Sequence, residues 1–200
     1  MKQHIVSMFV IFLFAAMPAA VLAKDVPWQI DPAHSSVDFS VTHLGLSKVH
    51  GTFRAFEGAV TADEKGVVTA ITATVQVASV DTGVAKRDDH LRSPDFFDAS
   101  THPQMRFVSK AITIKGRKAT IQGSLTIRGI TREVTFTGSM AGPFTANLGN
   151  GPTTRAAYTL AGSINRQDFG LRFNAVADAV SVVSDTVDME LNIQLVRSES

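Results

Sequence analysis

Apolar and polar residues alternate with a period of two along most of this chain. Ile71, Ala73, Val75 and Val77 alternate with Thr72, Thr74 and Gln76. Ala119, Ile121, Gly123, Leu125 and Ile127 alternate with Thr120, Gln122, Ser124, Thr126 and Arg128. Val187, Met189, Leu191, Ile193 and Leu195 alternate with Asp188, Glu190, Asn192 and Gln194, and Val37, Phe39 and Val41 with Asp38, Ser40 and Thr42. Strands with one wet and one dry face belong to antiparallel sheets. The pattern predicts about eight long strands, drawn from 27–31, 35–43, 49–61, 67–80, 104–114, 118–128, 131–139, 154–164 and 186–196. "DEKG" (63–66), "KGRK" (115–118) and "RGITR" (128–132) are hairpin signals between neighbouring strands. There is no helical stripe of ordinary length, no repeat and no linker-like segment, so one domain is expected.

Such a chain folds as a sandwich or as a closed barrel. The dry face carries small residues at Ala73, Ala119, Gly123, Gly138 and Gly162. Small residues on an inner wall leave volume, and an eight-stranded barrel has room for one small ligand. Large residues opposite, among them Phe39, Phe53, Phe107, Phe136 and Tyr158, could equally fill those gaps. The pattern alone leaves the two open.

The first residues read differently. A short polar start is followed by "IVSMFVIFLFAAM" (5–17) and "PAAVLA", a run of signal-peptide length and short for a membrane span. Val21-Leu22-Ala23 fits a small-x-small cleavage site. Residues 1–23 are therefore expected to be a signal peptide and 24–200 the mature domain, exported and without stable membrane insertion. The chain has 19 Lys+Arg and 18 Asp+Glu; the leader takes Lys2 and no acid, which leaves 18 of each. A neutral domain offers no electrostatic footprint for nucleic acid. There are no cysteines, so thiolate catalysis, Cys-type metal sites and disulfides are excluded.

"KRDDHLRSPDFFD" (86–98) breaks the strand pattern and concentrates the chemistry. Its first half permits a short helix with Asp88 paired to Arg92 at i,i+4. Ser93-Pro94-Asp95 reads as a second helix start, with Ser as N-cap and Pro at the first helical position. The two aromatics that follow, Phe96 and Phe97, suit a lid or plug at a barrel end. Ser93 lies near His90 but lacks the setting of a nucleophile. His90, Asp88 and Asp89 follow no metal-ligand spacing. We expect no catalytic residues, no metal and no cofactor. The competing reading is a hydrolase or other enzyme acting on a lipid-like substrate through His90 or His43, the latter on the dry face of its strand. His34, His50 and His102 are weaker candidates.

Several ordered blocks resemble one family. "WQIDPAHSSVDFSVTHLGLSKVHGTFRAFEG" (28–58), "SVDTGVAKRDDHLRSPDFFDASTHPQMRFVS" (79–109), "GSLTIRGITREVTF" (123–136) and "NRQDFGL" (165–171) are similar to signatures of the YceI-like periplasmic proteins. The resemblance spans nearly all of the expected mature chain; the 140–153 loop is not diagnostic. It implies an all-β fold, an eight-stranded antiparallel lipocalin-like barrel with a short helical connector. It implies a periplasmic binding or carrier protein rather than an enzyme, with a long-chain isoprenoid (an isoprenoid quinone or polyprenyl compound) or a fatty-amide-like amphiphilic lipid in the lumen. On that reading the ligand-binding wall comprises Phe39, Val41, His43, Phe53, Ala73, Val75, Phe96, Phe97, Phe107, Gly123, Leu125, Phe136, Tyr158 and Gly162. The oligomeric state stays open, a dimer included.

Overall fold

The structure is a computed structural model that describes residues 26–198 apart from 148, 150, 174, 175, 178 and 179. The expected leader and its cleavage site lie outside the described residues. The strands are β1 (Val26–Ile30), β2 (Ser36–His43), β3 (Ser47–Phe53), β4 (Phe56–Ala62), β5 (Val68–Gln76), β6 (Val80–Asp81), β7 (Gln104–Lys115), β8 (Lys118–Ile127), β9 (Ile130–Asn147), β10 (Pro152–Asn165), β11 (Val176–Ala177), β12 (Val180–Ser181) and β13 (Val183–Ser198). Among the described residues one α-helix, α1 (Ala85–Arg92), follows β6.

β1 and β2 both lie along one edge of β13 and are parts of a single strand, broken where Asp31 caps a 3-10 turn. β3 with β4 and β5 with β6 are likewise single strands broken in the middle. Counted this way, eight antiparallel strands run in the order β1/β2, β3/β4, β5/β6, β7, β8, β9, β10, β13, and β13 returns to β1 and β2. The sheet is closed, so the barrel has no free edge along most of its length. β11 and β12 make a separate small hairpin before β13.

Dry-face side chains point inward as the period demands. In β8, Ala119, Ile121, Gly123, Leu125 and Ile127 are the buried set. Two-residue hairpin loops join β7 to β8 and β8 to β9, with Gly116 at φ 60°, and Arg128 and Gly129 at φ 51° and 72°. These positive angles match the primed turns whose twist suits paired strands.

Three expectations are corrected. The strands expected at 49–61 and 67–80 are interrupted, at 54–55 and 77–79. The loop expected over 140–153 is largely strand, because β9 runs on to Asn147 and β10 starts at Pro152. Its alternation is lost where the β9–β10 register shifts between Arg155 and Ala157, opposite Gly142 and Pro143. A bulge is where a sheet accepts a proline.

The interior divides into two apolar clusters. At one end Trp28, Val60, Ala62, Tyr158, Leu160 and Leu195 pack with Phe136 and Met140. The β4–β5 turn folds across this end. The Tyr158 hydroxyl donates to Gly66 O at 2.8 Å and accepts from Val68 N at 3.1 Å, and Trp28 Nε1 donates to Asp63 O at 3.3 Å. The Arg197 guanidinium lies over the Trp28 ring, 5.2 Å from its centroid. At the other end Phe53, Val77, Val80, Phe96, Ile127, Phe169 and Leu171 pack beside α1.

Burial pushes the Tyr158 phenol above its usual 10.0; the Val68 N–H opposes this and the Asp63 charge adds to it. The fold therefore favours the neutral phenol. That contribution is whole below pH 10 and is lost as pH rises through the raised value. The chain has one tyrosine, so phenolate absorbance reads this group alone. In an alkaline titration it should ionise at higher pH in the folded protein than in urea, and stability should fall above pH 10. Tyr158→Phe should lack that fall and cost about 1–3 kcal/mol at neutral pH, since Gly66 O and Val68 N lose their partner. Phenolate absorbance rising equally in folded and unfolded protein would contradict it.

Candidate functional site

The alternation that closes the barrel also lines an apolar space inside it. The space has two lobes. The smaller, about 140 Å³, lies toward Trp28 and is bordered by Val60, Ile71, Ala73, Val75, Ile121 and Leu195 among others. The larger, about 350 Å³, lies toward α1 and is bordered by Val41, His43, Leu91, Phe97, Phe173 and Val187 among others. Phe39, Phe53, Met105, Ile127 and Met189 border both.

Twelve of the fourteen residues expected on the wall border this space. Phe39 and Phe53 face both lobes; Ala73, Val75, Phe107, Leu125, Phe136 and Tyr158 face the smaller; Val41, His43, Phe96 and Phe97 face the larger. Gly123 and Gly162 border neither. Both are in the inward phase, but aromatic rings occupy the place a side chain would take. A Cβ on Gly123 would run into Val108 O and lie 2.6 Å from the Phe107 ring, and one on Gly162 would lie 2.8 Å from the Phe136 ring and 2.9 Å from Thr135 O. Gly51 is covered in the same way by Phe39. The small residues thus seat rings against the wall rather than widen the lumen at those points.

The connector closes a gap in the barrel wall. β5 pairs with β7 only as far as Gln76↔Gln104. Beyond that point the chain turns away through 77–79, and β6 pairs only with β3. The carbonyls of Ala78 and Val80 then face no strand. Arg92 replaces it, with Nε donating to Ala78 O at 2.9 Å and Nη2 to Val80 O at 2.7 Å. Its Nη1 meets Asp89 at 3.0 Å. The expected Asp88–Arg92 pair is therefore not formed. Asp88 is buried and accepts instead from Thr82 N at 2.9 Å and Thr82 Oγ1 at 2.5 Å. A carboxylate in the first turn and Arg92 in the last also suit the helix dipole.

The expected second helix is absent. Ser93 is the C-cap of α1, its N–H and hydroxyl both donating to His90 O. Residues 94–97 are a turn whose amides return to Ser93 O and Leu91 O. Proline could begin a helix here, but the chain must reverse to bring Phe96 and Phe97 inward. Arg128, from the β8–β9 turn, donates to Pro94 O at 3.1 Å and Phe96 O at 2.5 Å. Phe96 is buried against Phe173 and the edge of His90, with centroids 4.8 and 5.0 Å away. Phe97 meets Phe53 at 5.8 Å.

His90 is exposed, and its Nε2 lies 3.0 Å from Asp95 Oδ2. Ser93 gives its hydroxyl proton to a carbonyl, not to an imidazole. His34 pairs with Asp31 at 2.9 Å, and His50 and His102 border neither lobe. Among the described residues no group of three or more His, Asp or Glu is placed to hold a metal ion.

Sequence reasoning missed Arg166, which is 3% exposed and borders the larger lobe. Its guanidinium donates to Leu171 O (2.5 Å), Phe173 O (2.7 Å), Ser184 O (3.0 Å) and Val183 O (3.3 Å), and to Asp185 at 3.0 Å. It ties the irregular segment after β10 to the start of β13. The "NRQDFGL" block was visible, but nothing local showed that its arginine points inward. Arg87 and Leu91 were also missed, although their i,i+4 spacing puts both on one helix face.

A closed antiparallel barrel with a partly unfilled apolar lumen and an arginine-bound cap at one end is a lipocalin-like architecture. A family model described as the YceI-like domain matches residues 28–195, and the chain belongs to that family. It is 31% identical over 201 residues to protein YceI of Escherichia coli O157:H7, with all of both chains covered. It is 32% identical over 191 residues to the UPF0312 protein PputW619_0484 of Pseudomonas putida, covering 94% of this chain and 95% of the relative. Among solved structures, BcnA of Burkholderia cenocepacia superposes with a TM-score of 0.67 at 30% identity, over 82% of this chain and 98% of that one. A polyisoprenoid binding domain from Saccharophagus degradans superposes at 0.62 over 84% and 97%, with 14% identity, a likeness of fold.

The ring-covered glycines give a direct test. Gly123→Leu and Gly162→Leu should destabilise the barrel, by about 1–3 kcal/mol or more, because the new side chain meets a ring and a backbone carbonyl at each position, Phe107 and Val108 O or Phe136 and Thr135 O. Thermal unfolding measures this. An unchanged melting temperature in both variants would mean that neither the rings nor the neighbouring carbonyls close in on these glycines.

Proposed function

We propose that this chain is a periplasmic binding protein that carries a long apolar isoprenoid or fatty-amide-like lipid in its lumen, and that it is not an enzyme. The observation that carries the proposal is the two-lobed lumen, whose lining is mainly aliphatic and aromatic, with His43, Thr82, Arg87, His90 and Arg166 at the larger lobe. An exported long-chain lipid is nearly insoluble in water. Its transfer into such a space is favoured by about 25 cal/mol per Å² of apolar surface buried, so a long chain binds without many polar contacts. The family supports this reading, as does the likeness of fold to a protein described as a polyisoprenoid binding domain. The apolar leader supports export. No helix among the described residues is long and apolar enough to cross a membrane.

The charged connector supports a binder too. Arg92, Asp88 and Arg128 spend their hydrogen bonds on backbone, on Thr82 and, for Arg92, on Asp89. His90 packs its ring edge on Phe96 and Phe173.

Mass spectrometry of an organic extract of the purified protein should show a copurifying long-chain lipid; an extract matching the buffer blank at protein-stoichiometric sensitivity would count against the carrier. His90→Ala should alter stability or ligand retention and abolish no chemical step. Turnover of an ester, phosphoester or quinone substrate by wild type alone, at equal melting temperatures, would sink the reading. Export predicts a mature protein that begins at Lys24, checked by N-terminal sequencing of the periplasmic fraction.

A further inference from the structure

We infer that Arg87 forms a headgroup site in the larger lobe, selecting lipids whose head presents hydrogen-bond-accepting oxygen. The inference rests on the carrier reading and adds an orientation to it, with the head at the α1 end and the tail toward Trp28.

The two lobes differ in polarity. The smaller one touches Asp38, Glu57 and Arg106, which lie on the outward phase of their strands, and its inward hydroxyl, that of Tyr158, is already bonded to Gly66 and Val68. The larger one is bordered by His43, Thr82, Arg87, His90 and Arg166. Most of these are committed. Arg166 donates from all three nitrogens, and His90 Nε2 faces Asp95. Thr82 Oγ1 donates to Asp88 and accepts from Arg87.

Arg87 is different. Its Nε donates to Thr82 Oγ1 at 2.7 Å and its Nη2 to Thr82 O at 2.8 Å. Its Nη1 has no protein partner among the described residues, and neither does a carboxylate pair with the guanidinium. A guanidinium has five N–H donors, so most of the fork is unspent. The balancing charge is Asp88, one hydroxyl away through Thr82. Asp88 does not border the lobe, whereas Arg87 does. The relay therefore holds a cation at an apolar cavity wall with its anion behind it. His43, half-buried on the same lobe and with no side-chain hydrogen bond among the described residues, stands as a second polar contact. A cation with spare donors beside apolar walls favours acceptor oxygen, such as a quinone carbonyl or a prenyl phosphate. It gives nothing to a hydrocarbon end.

The test compares chains of equal length with different heads: a polyprenyl quinone, a polyprenyl phosphate and the headless polyprenyl hydrocarbon. Binding is read from fluorescence of the single Trp28 at the far end of the lumen. Wild type should bind at least one headed chain about tenfold or more tightly than the hydrocarbon, the scale of one charge-assisted hydrogen bond. Arg87→Met should lose that preference and keep hydrocarbon binding. Arg87→Lys should restore part of it for the phosphate if the oxygen is anionic, and little of it for the quinone if the fork geometry matters. Equal wild-type affinity for all three chains would overturn the headgroup site and leave the carrier standing, and this arm holds even if Arg87→Met does not fold. Failure of every chain to bind would overturn both.

Discussion

The lumen's mouth depends on two backbone carbonyls that have no strand to bond, those of Ala78 and Val80. A carbonyl shut away from water without a partner costs a hydrogen bond's worth of stability, which weighs on the part-buried Val80 O more than on the exposed Ala78 O. The wall splits there because β5 leaves β7 at Gln76 and follows β3 instead. Arg92 supplies the missing donors, and by doing so fixes α1 across the gap. The same device recurs nearby. Arg128 binds Pro94 O and Phe96 O, and Arg166 binds four carbonyls around the segment before β13. A rigid, permanently charged fork with five donors does this where a lysine could not. The charged stretch is thus mainly a substitute for sheet, and its aromatic pair is the cap that the substitute holds in place.

Eight strands set a radius at which side chains either fill the interior or nearly do so. What decides the matter here is where rings go. Phe39, Phe107 and Phe136 lie back against Gly51, Gly123 and Gly162 instead of crossing the lumen. A ring flattened on the wall keeps its apolar face toward the space and leaves the centre unfilled. Inward glycines and large aromatics, which look like opposing signs of a hollow and a filled barrel, act as pairs.

The strands were legible because each has one wet face, and a period of two survives in any window of such a strand. The closed eight-stranded topology was available only through the family resemblance, since a sandwich has the same period. Legibility failed wherever the backbone departs from a regular ladder. The second half of β9 was hidden by the bulge at Gly142 and Pro143. The break at 77–79 was hidden because Val77 and Val80 are both buried, which blurs the phase. Phase alone set which side of the sheet a strand residue faces, but not whether it reaches the space, as the covered Gly123 and Gly162 show. Arg87, Arg92 and Arg166 could not be placed even that far, because their partners are backbone carbonyls or a threonine brought near by tertiary structure, and a carbonyl leaves no mark in the sequence. Pairing Asp88 with Arg92 by helix spacing failed for the same reason: both side chains had stronger claims off the helix.

The two ends of the barrel differ in what must break for a long chain to pass. At the Trp28 end β1 pairs with both β4 and β13, and Tyr158 and Trp28 bolt the β4–β5 turn across the opening. Opening it would sever ladder bonds and uncover the most buried cluster. At the α1 end β6 makes only a short pairing with β3. The seal there consists of arginine-to-carbonyl bonds and the aromatic contacts of Phe96, Phe97 and Phe173. Local opening follows the regions with least ladder and least buried contact. A cargo would therefore enter and leave past α1, with Arg87 and His43 on its path and the closed end acting as a floor. Such an order also suits an amphiphile physically. Its tail would lie in the more apolar lobe and its head at the end that carries the polar groups.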